Sequence, residues 1–104
     1  MKKFIFLFLI LIFFKNSYLI ADEEIDLGKK IFMEEGNCMS CHSLNDAGSN
    51  ADIGPNLNEI KPSLELVIYT VTNGIGVMPS YKDVLTKDEI NAVSIYVSEK
   101  SNEN

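Results

Sequence analysis

The apolar positions of this chain fall into one continuous run followed by three periodic stretches. The run is Phe4 to Phe14, eleven residues preceded by Lys2 and Lys3. That order is a positive n-region and an apolar h-region, the form of a secretory signal. The run is too short to span a bilayer as a free-standing helix. Ala21, just before Asp22-Glu23-Glu24, offers a cleavage point, so 1–21 is expected to be a signal peptide and 22–104 the folded domain. Leu19 at the −3 position is larger than the usual small residue, and Lys15 interrupts the apolar stretch. An uncleaved membrane anchor is therefore the alternative.

The three periodic stretches read as helices. The first is expected over 26–35, with Asp26 as N-cap and Gly36-Asn37 as the stop. Leu27 and Ile31 share its apolar face, with Phe32 beside them. Gly28 inside it costs roughly 1 kcal/mol against alanine, which suggests close approach of another helix. The second is expected over 64–73, capped by Ser63 and ended by Asn73-Gly74. Leu64, Val67, Ile68 and Val71 follow the i, i+3, i+4, i+7 template. The β-branched run from Val67 to Thr72 would also suit a strand.

The third helix carries the clearest start signal. Thr86-Lys87-Asp88-Glu89 fits a capping box, flanked by Leu85 and Ile90 at the two staple positions. Ile90, Val93 and Val97 form its apolar face, with Tyr96 adjacent, and Lys100 sits where the helix dipole favours a cation. Gly, Pro, Ser, Asn and Asp dominate 43–62, and Gly74 to Val84 is glycine-rich at its start, so both read as loops. The last four residues read as a fraying polar tail. The fold class is all-α.

One cluster changes this picture from a small helical domain to a cofactor protein. Cys38-Met39-Ser40-Cys41-His42 contains both cysteines and the single histidine of the chain. C-x-x-C-H is a haem-attachment signature: two thiols one turn apart add to the two vinyl groups, and the adjacent histidine ligates the iron. A thioredoxin-like motif would need a βαβ context, and a zinc site a second ligand cluster. A structural or redox disulfide remains open in an exported protein, but leaves the histidine unexplained.

A haem iron held by His42 has a sixth position to fill. Met39 lies inside the attachment motif, and Met33 lies too near it in sequence to reach round easily. Met78 sits in the glycine-rich loop with Pro79 stiffening the next residues, and is the expected thioether ligand. Core filling is the ordinary role of a lone methionine. The free N–H of His42 also needs an acceptor. A carbonyl of the Gly54-Pro55-Asn56-Leu57 turn could serve, or that segment could be only a surface turn.

Charge narrows the partners. Residues 22–104 hold six lysines, no arginine and fifteen acidic residues, a net charge of −9. That sign disfavours nucleic acid as a partner. An acidic surface suits a basic docking partner, or serves solubility alone.

Taken together, these segments resemble a class I cytochrome c, of the short monohaem kind found in bacteria and algal chloroplasts. The resemblance runs from Gly28 to Val97. It implies a small cytochrome c fold, three main helices and loops wrapped round one haem c attached through Cys38 and Cys41. It assigns the Pro55 carbonyl to the His42 ring and Met78 to the iron. It also implies that Gly28 and Phe32 cross the last helix near Tyr96. The family often places Arg or Trp near the haem propionates, and this chain has neither. Lys61, Lys82, Asn56, Asn73, Tyr69 and Tyr81 are the candidate substitutes.

The function expected from the resemblance is that of a periplasmic one-electron carrier rather than an enzyme, a monomer docking transiently with redox partner proteins such as a dehydrogenase and an oxidase. The Val71 to Tyr81 run is similar to small cytochromes that accept electrons from dehydrogenases, including sulfite dehydrogenases. A tightly bound electron-transfer subunit of such an enzyme is therefore the alternative. A haem sensor or ligand-binding enzyme would require Met78 to be a core residue only.

Overall fold

The computed structural model describes residues 21–103, and the expected signal segment lies outside them apart from Ala21. Helix α1 covers residues 21–33. A short hairpin comes next, β1 (Ser43–Leu44) and β2 (Ser49–Asn50), then the single-turn α2 (Leu57–Ile60), α3 (Leu64–Asn73) and α4 (Lys87–Lys100). No helix among the described residues is long and apolar enough to cross a membrane.

Helix α1 begins earlier than its sequence signals suggest. Asp26 lies inside it, because Ala21, Glu23 and Glu24 are good helix formers and extend the helix towards the N-terminus. The expected C-terminal boundary shifts from Glu35 to residue 33. The Gly36 N–H closes back on the Ile31 carbonyl at 2.7 Å, and Asn37 takes the left-handed turn with φ 49°. Leu27 does not join the core face and is 42% exposed, while Ile31 and Phe32 are fully buried. The buried face is centred on Gly28 instead.

Gly28 is where α1 crosses α4. A Cβ there would collide with the Ala92 carbonyl and stand 2.5 Å from Tyr96 Cβ. The absent side chain lets Phe32 meet Tyr96 edge-on, ring centroids 5.8 Å apart at 62°. The helical cost of the glycine is thus offset by burial of two aromatic side chains.

Helix α4 starts as its sequence dictates. Thr86 N–H donates to Glu89 Oε1 at 2.9 Å, and Glu89 N–H to Thr86 Oγ1 at 3.1 Å. Leu85 and Ile90 are buried on either side of this box. In α3 the Ser63 hydroxyl accepts from Leu66 N–H at 3.2 Å. Val67 and Val71 are buried on the face that packs against α4. The periodicity of α3 prevails over the β-propensity of its side chains because that face has a helix to bury against.

The segment 43–62 is more ordered than a loop. Leu44 pairs with Ser49 and Ser43 with Asn50 in the antiparallel hairpin. The buried Ser49 hydroxyl accepts from Leu44 N–H at 3.0 Å. Helix α2 is capped by Asn56, whose side chain accepts from Asn58 N–H at 3.0 Å, and stops at left-handed Lys61. These elements are too short to show a period in sequence. The C-terminal tail is likewise tied down as far as residue 103. Asn58 Nδ2 donates to the Glu103 carbonyl at 2.8 Å, and Lys61 Nζ to the Ser101 carbonyl at 3.0 Å.

Candidate haem-binding site

The attachment segment is wound by the backbone into one tight turn. Asn37, left-handed, redirects the chain after α1 into a 3-10 turn over Cys38–Ser40. Cys41 and His42 both donate their N–H groups to the Cys38 carbonyl, at 3.1 and 2.9 Å. The turn brings the attachment residues close along the backbone, with the Cys41 thiol near enough to influence Cys38. Cys38 and Cys41 are free thiols, both half-buried. Burial pushes the Cys38 thiol up to about 11. A Cβ on Gly36 would stand 3.1 Å from Cys38 Sγ and 2.9 Å from the Ile31 carbonyl, so this glycine leaves the sulfur its room.

His42 is held by the Gly54-Pro55 turn. Its Nδ1 lies 2.8 Å from the Pro55 carbonyl. That oxygen can only accept, so Nδ1–H is the donor, which in the neutral ring leaves Nε2 as the lone-pair nitrogen available to a metal. The ring lies flat against Gly54, where a Cβ would be 2.6 Å from His42 Cε1. Gly54 N–H in turn donates to the Cys41 carbonyl at 2.7 Å. The turn and the attachment segment therefore form one unit, in which glycine gives access and proline supplies the acceptor.

Met78 lies in a separate tight turn. Ile75 and Met78 exchange backbone hydrogen bonds of 3.1 and 2.9 Å, with Gly76 left-handed between them. Gly74, at φ 75°, passes so close that a Cβ would stand 2.8 Å from the Met78 carbonyl and from Ser80 N. The Met78 side chain is half-buried against the core, whereas Met33 is 37% exposed on α1.

This donor set fits a covalent haem. Two free thiols and an imidazole with an open Nε2 share one turn, and the glycines leave those atoms unobstructed. A family model described as cytochrome C oxidase, cbb3-type, subunit III, matches residues 23–97. The chain belongs to the small class I c-type cytochromes. It is 38% identical to cytochrome c6 of Cladophora glomerata over 83% of this chain and 93% of that one. It is 35% identical to cytochrome c6 of Tetradesmus obliquus over 75% and 92%. The crystal structure of the c-type cytochrome SorU from Sinorhizobium meliloti superposes with a TM-score of 0.73 at 46% identity. That match covers 77% of this chain and 93% of the other. As a member of this family the cytochrome binds one covalent haem c and acts as a monohaem electron carrier.

The proposed propionate partners are mostly engaged elsewhere. The Tyr81 hydroxyl donates to the Gly36 carbonyl at 2.7 Å, and burial raises its pKa. Lys61 reaches Ser101, Asn73 donates to the Tyr69 carbonyl at 2.9 Å, and Asn56 caps α2. Lys82 and Tyr69 are exposed. The residues that sequence reasoning missed are Gly54 as the platform for His42, Tyr81 as a tie, and Asn58 as the link to α4. Each acts through a contact between distant segments, which no local pattern encodes.

Proposed function

We propose that this cytochrome is an exported, periplasmic one-electron shuttle with His42 and Met78 as axial ligands and thioethers at Cys38 and Cys41. The observation that carries the reading is the His42 ring, locked between Gly54 and Pro55 with Nε2 open. The haem supplies reversible Fe(III)/Fe(II) exchange. Pro55 accepts from Nδ1 and so fixes the orientation in which the ring presents Nε2 to the metal. The soft sulfur of Met78 favours the ferrous state and raises the potential relative to a second nitrogen. Closing both axial positions with side chains suits electron transfer without ligand turnover.

Partner contact is assigned to the turn that carries Met78. Ile75 and Val77 are 69% and 91% exposed there. A small apolar patch on an acidic protein suits a brief encounter with a partner of basic surface, at the low end of interface area.

The test is a visible spectrum of the exported protein in both redox states, with a haem stain after denaturing electrophoresis. Covalent haem, a low-spin reduced spectrum and a ferric sulfur-to-iron band are expected. A stain that migrates with the protein but no sulfur-to-iron band would remove Met78 from the iron. No stain at all would return Cys38 and Cys41 to thiol chemistry.

A further inference from the structure

The methionine turn is fastened on two sides. On one side α3 holds it: Ser80 Oγ donates to the Thr72 carbonyl at 2.5 Å, and Tyr81 N–H to the Val71 carbonyl at 2.9 Å. On the other side, among the described residues, one side-chain hydrogen bond ties it, the Tyr81 hydroxyl donating to the Gly36 carbonyl at 2.7 Å. These two residues are 45 apart in sequence. Gly36 is itself fixed by its N–H bond to Ile31, two residues before Cys38. The Tyr81 ring is half-buried against the core, so the hydroxyl is delivered by a packed aromatic rather than a mobile chain.

The geometry points to Tyr81 as a positioning residue that latches the Met78 turn to the haem-attachment segment and so keeps Met78 on the iron. The inference rests on the reading of Met78 as axial ligand. The bond joins the segment bearing Met78 to the segment bearing Cys38, in addition to their shared packing on α3 and the core. Tyr81 lies three residues beyond Met78, so loss of this bond removes one of the fastenings that hold the turn against the attachment segment. The population of the Met-off state, and with it the apparent affinity for an outside ligand, is set in part by the latch.

The test uses the ferric holoprotein and imidazole as probe, comparing wild type, Tyr81→Phe and Met78→Ala. Phenylalanine keeps the ring packing and the Tyr81 backbone bond to Val71, and removes only the hydroxyl. Imidazole affinity of Y81F is expected to rise about fivefold, the factor that one net hydrogen bond corresponds to. If Y81F binds imidazole as wild type does, or merely unfolds earlier with unchanged imidazole affinity, the latch is refuted and Tyr81 is only a packing residue. Met78→Ala separates the two ideas. Tight imidazole binding by M78A beside wild-type behaviour of Y81F would remove the latch and leave Met78 as ligand. Equal binding by M78A and wild type would remove both.

Discussion

The Tyr96 hydroxyl donates to Asp46 Oδ2 at 2.7 Å, joining α4 to the 3-10 turn between the two strands of the hairpin. Lys29 of α1 reaches the same carboxylate oxygen at 3.4 Å. One acidic side chain therefore gathers three segments at the rim of the α1–α4 crossing. The Tyr96 bond, with Lys29 assisting, holds the Asp46 carboxyl below its ordinary range. Burial, reinforced by Asp46, pushes the Tyr96 hydroxyl well above its own.

These two shifts make stability depend on pH in opposite senses. A carboxyl whose pKa is depressed by folding stabilises the native state above its unfolded value, near 3.9, and that stabilisation is lost as pH falls through the folded value. Tyr96 acts oppositely: its stabilisation is present at neutral pH and is lost above roughly pH 10, where the unfolded chain ionises. Tyr96→Phe should lower stability by about 1–2 kcal/mol at neutral pH, and by less near pH 2 to 3. Urea unfolding of both proteins at the two pH values checks this. An equal deficit at both would show that the carboxylate is not the partner that matters.

Gly28→Ala should destabilise the protein by about 2 kcal/mol or more, although alanine is the better helix former by roughly 1 kcal/mol. The added methyl meets the Ala92 carbonyl and Tyr96 Cβ, and backbone cannot swing aside as a flexible side chain can. Thermal unfolding is the measurement, and a raised midpoint would mean that the two helices do not cross at this glycine.

Gly54→Ala strikes the imidazole instead of the helix crossing. Its Cβ would lie 2.6 Å from His42 Cε1 and 2.9 Å from Nδ1, so the ring must tilt away from the Pro55 carbonyl. Expected outcomes are reduced yield of covalent haem and, in the haem-bearing fraction, a shifted reduction potential, since the hydrogen bond tunes the basicity of the ligand. Wild-type yield and potential would show that the Gly54 surface does not orient His42.

Asn58→Ala should release both ends of one link. The Asn58 side chain accepts from Asn45 N–H at 2.8 Å while donating to the Ser101 and Glu103 carbonyls at 3.3 and 2.8 Å. A loss of about 1–3 kcal/mol is expected. Hydrogen exchange gives the sharper reading: the Asn45 amide should lose protection in the variant, ahead of amides in the middle of α4. Unchanged exchange at Asn45 would dissolve the link.

The parts of this protein legible from sequence are those encoded within a few residues. Thr86 and Glu89 sit three apart and can find each other only at a helix start, so the capping box of α4 is legible from four consecutive residues. Cys38, Cys41 and His42 share one turn, and their chemistry is declared by type and spacing. Helix α3 has the expected bounds because its caps and its apolar period agree. What only the tertiary structure decided are relations between segments far apart in the chain. Leu27 and Ile31 lie one turn apart on α1, yet one is exposed and the other fully buried, because where α4 crosses is set by Gly28 and Tyr96 together. Whether Pro55 offers its carbonyl to His42, whether Tyr81 reaches Gly36, and whether the polar tail frays or is bound by Asn58 depend on chain closure over 13, 45 and 45 residues. Hydrogen bonds across such distances have no period and no composition. They form only after burial of the helix faces has brought the segments together.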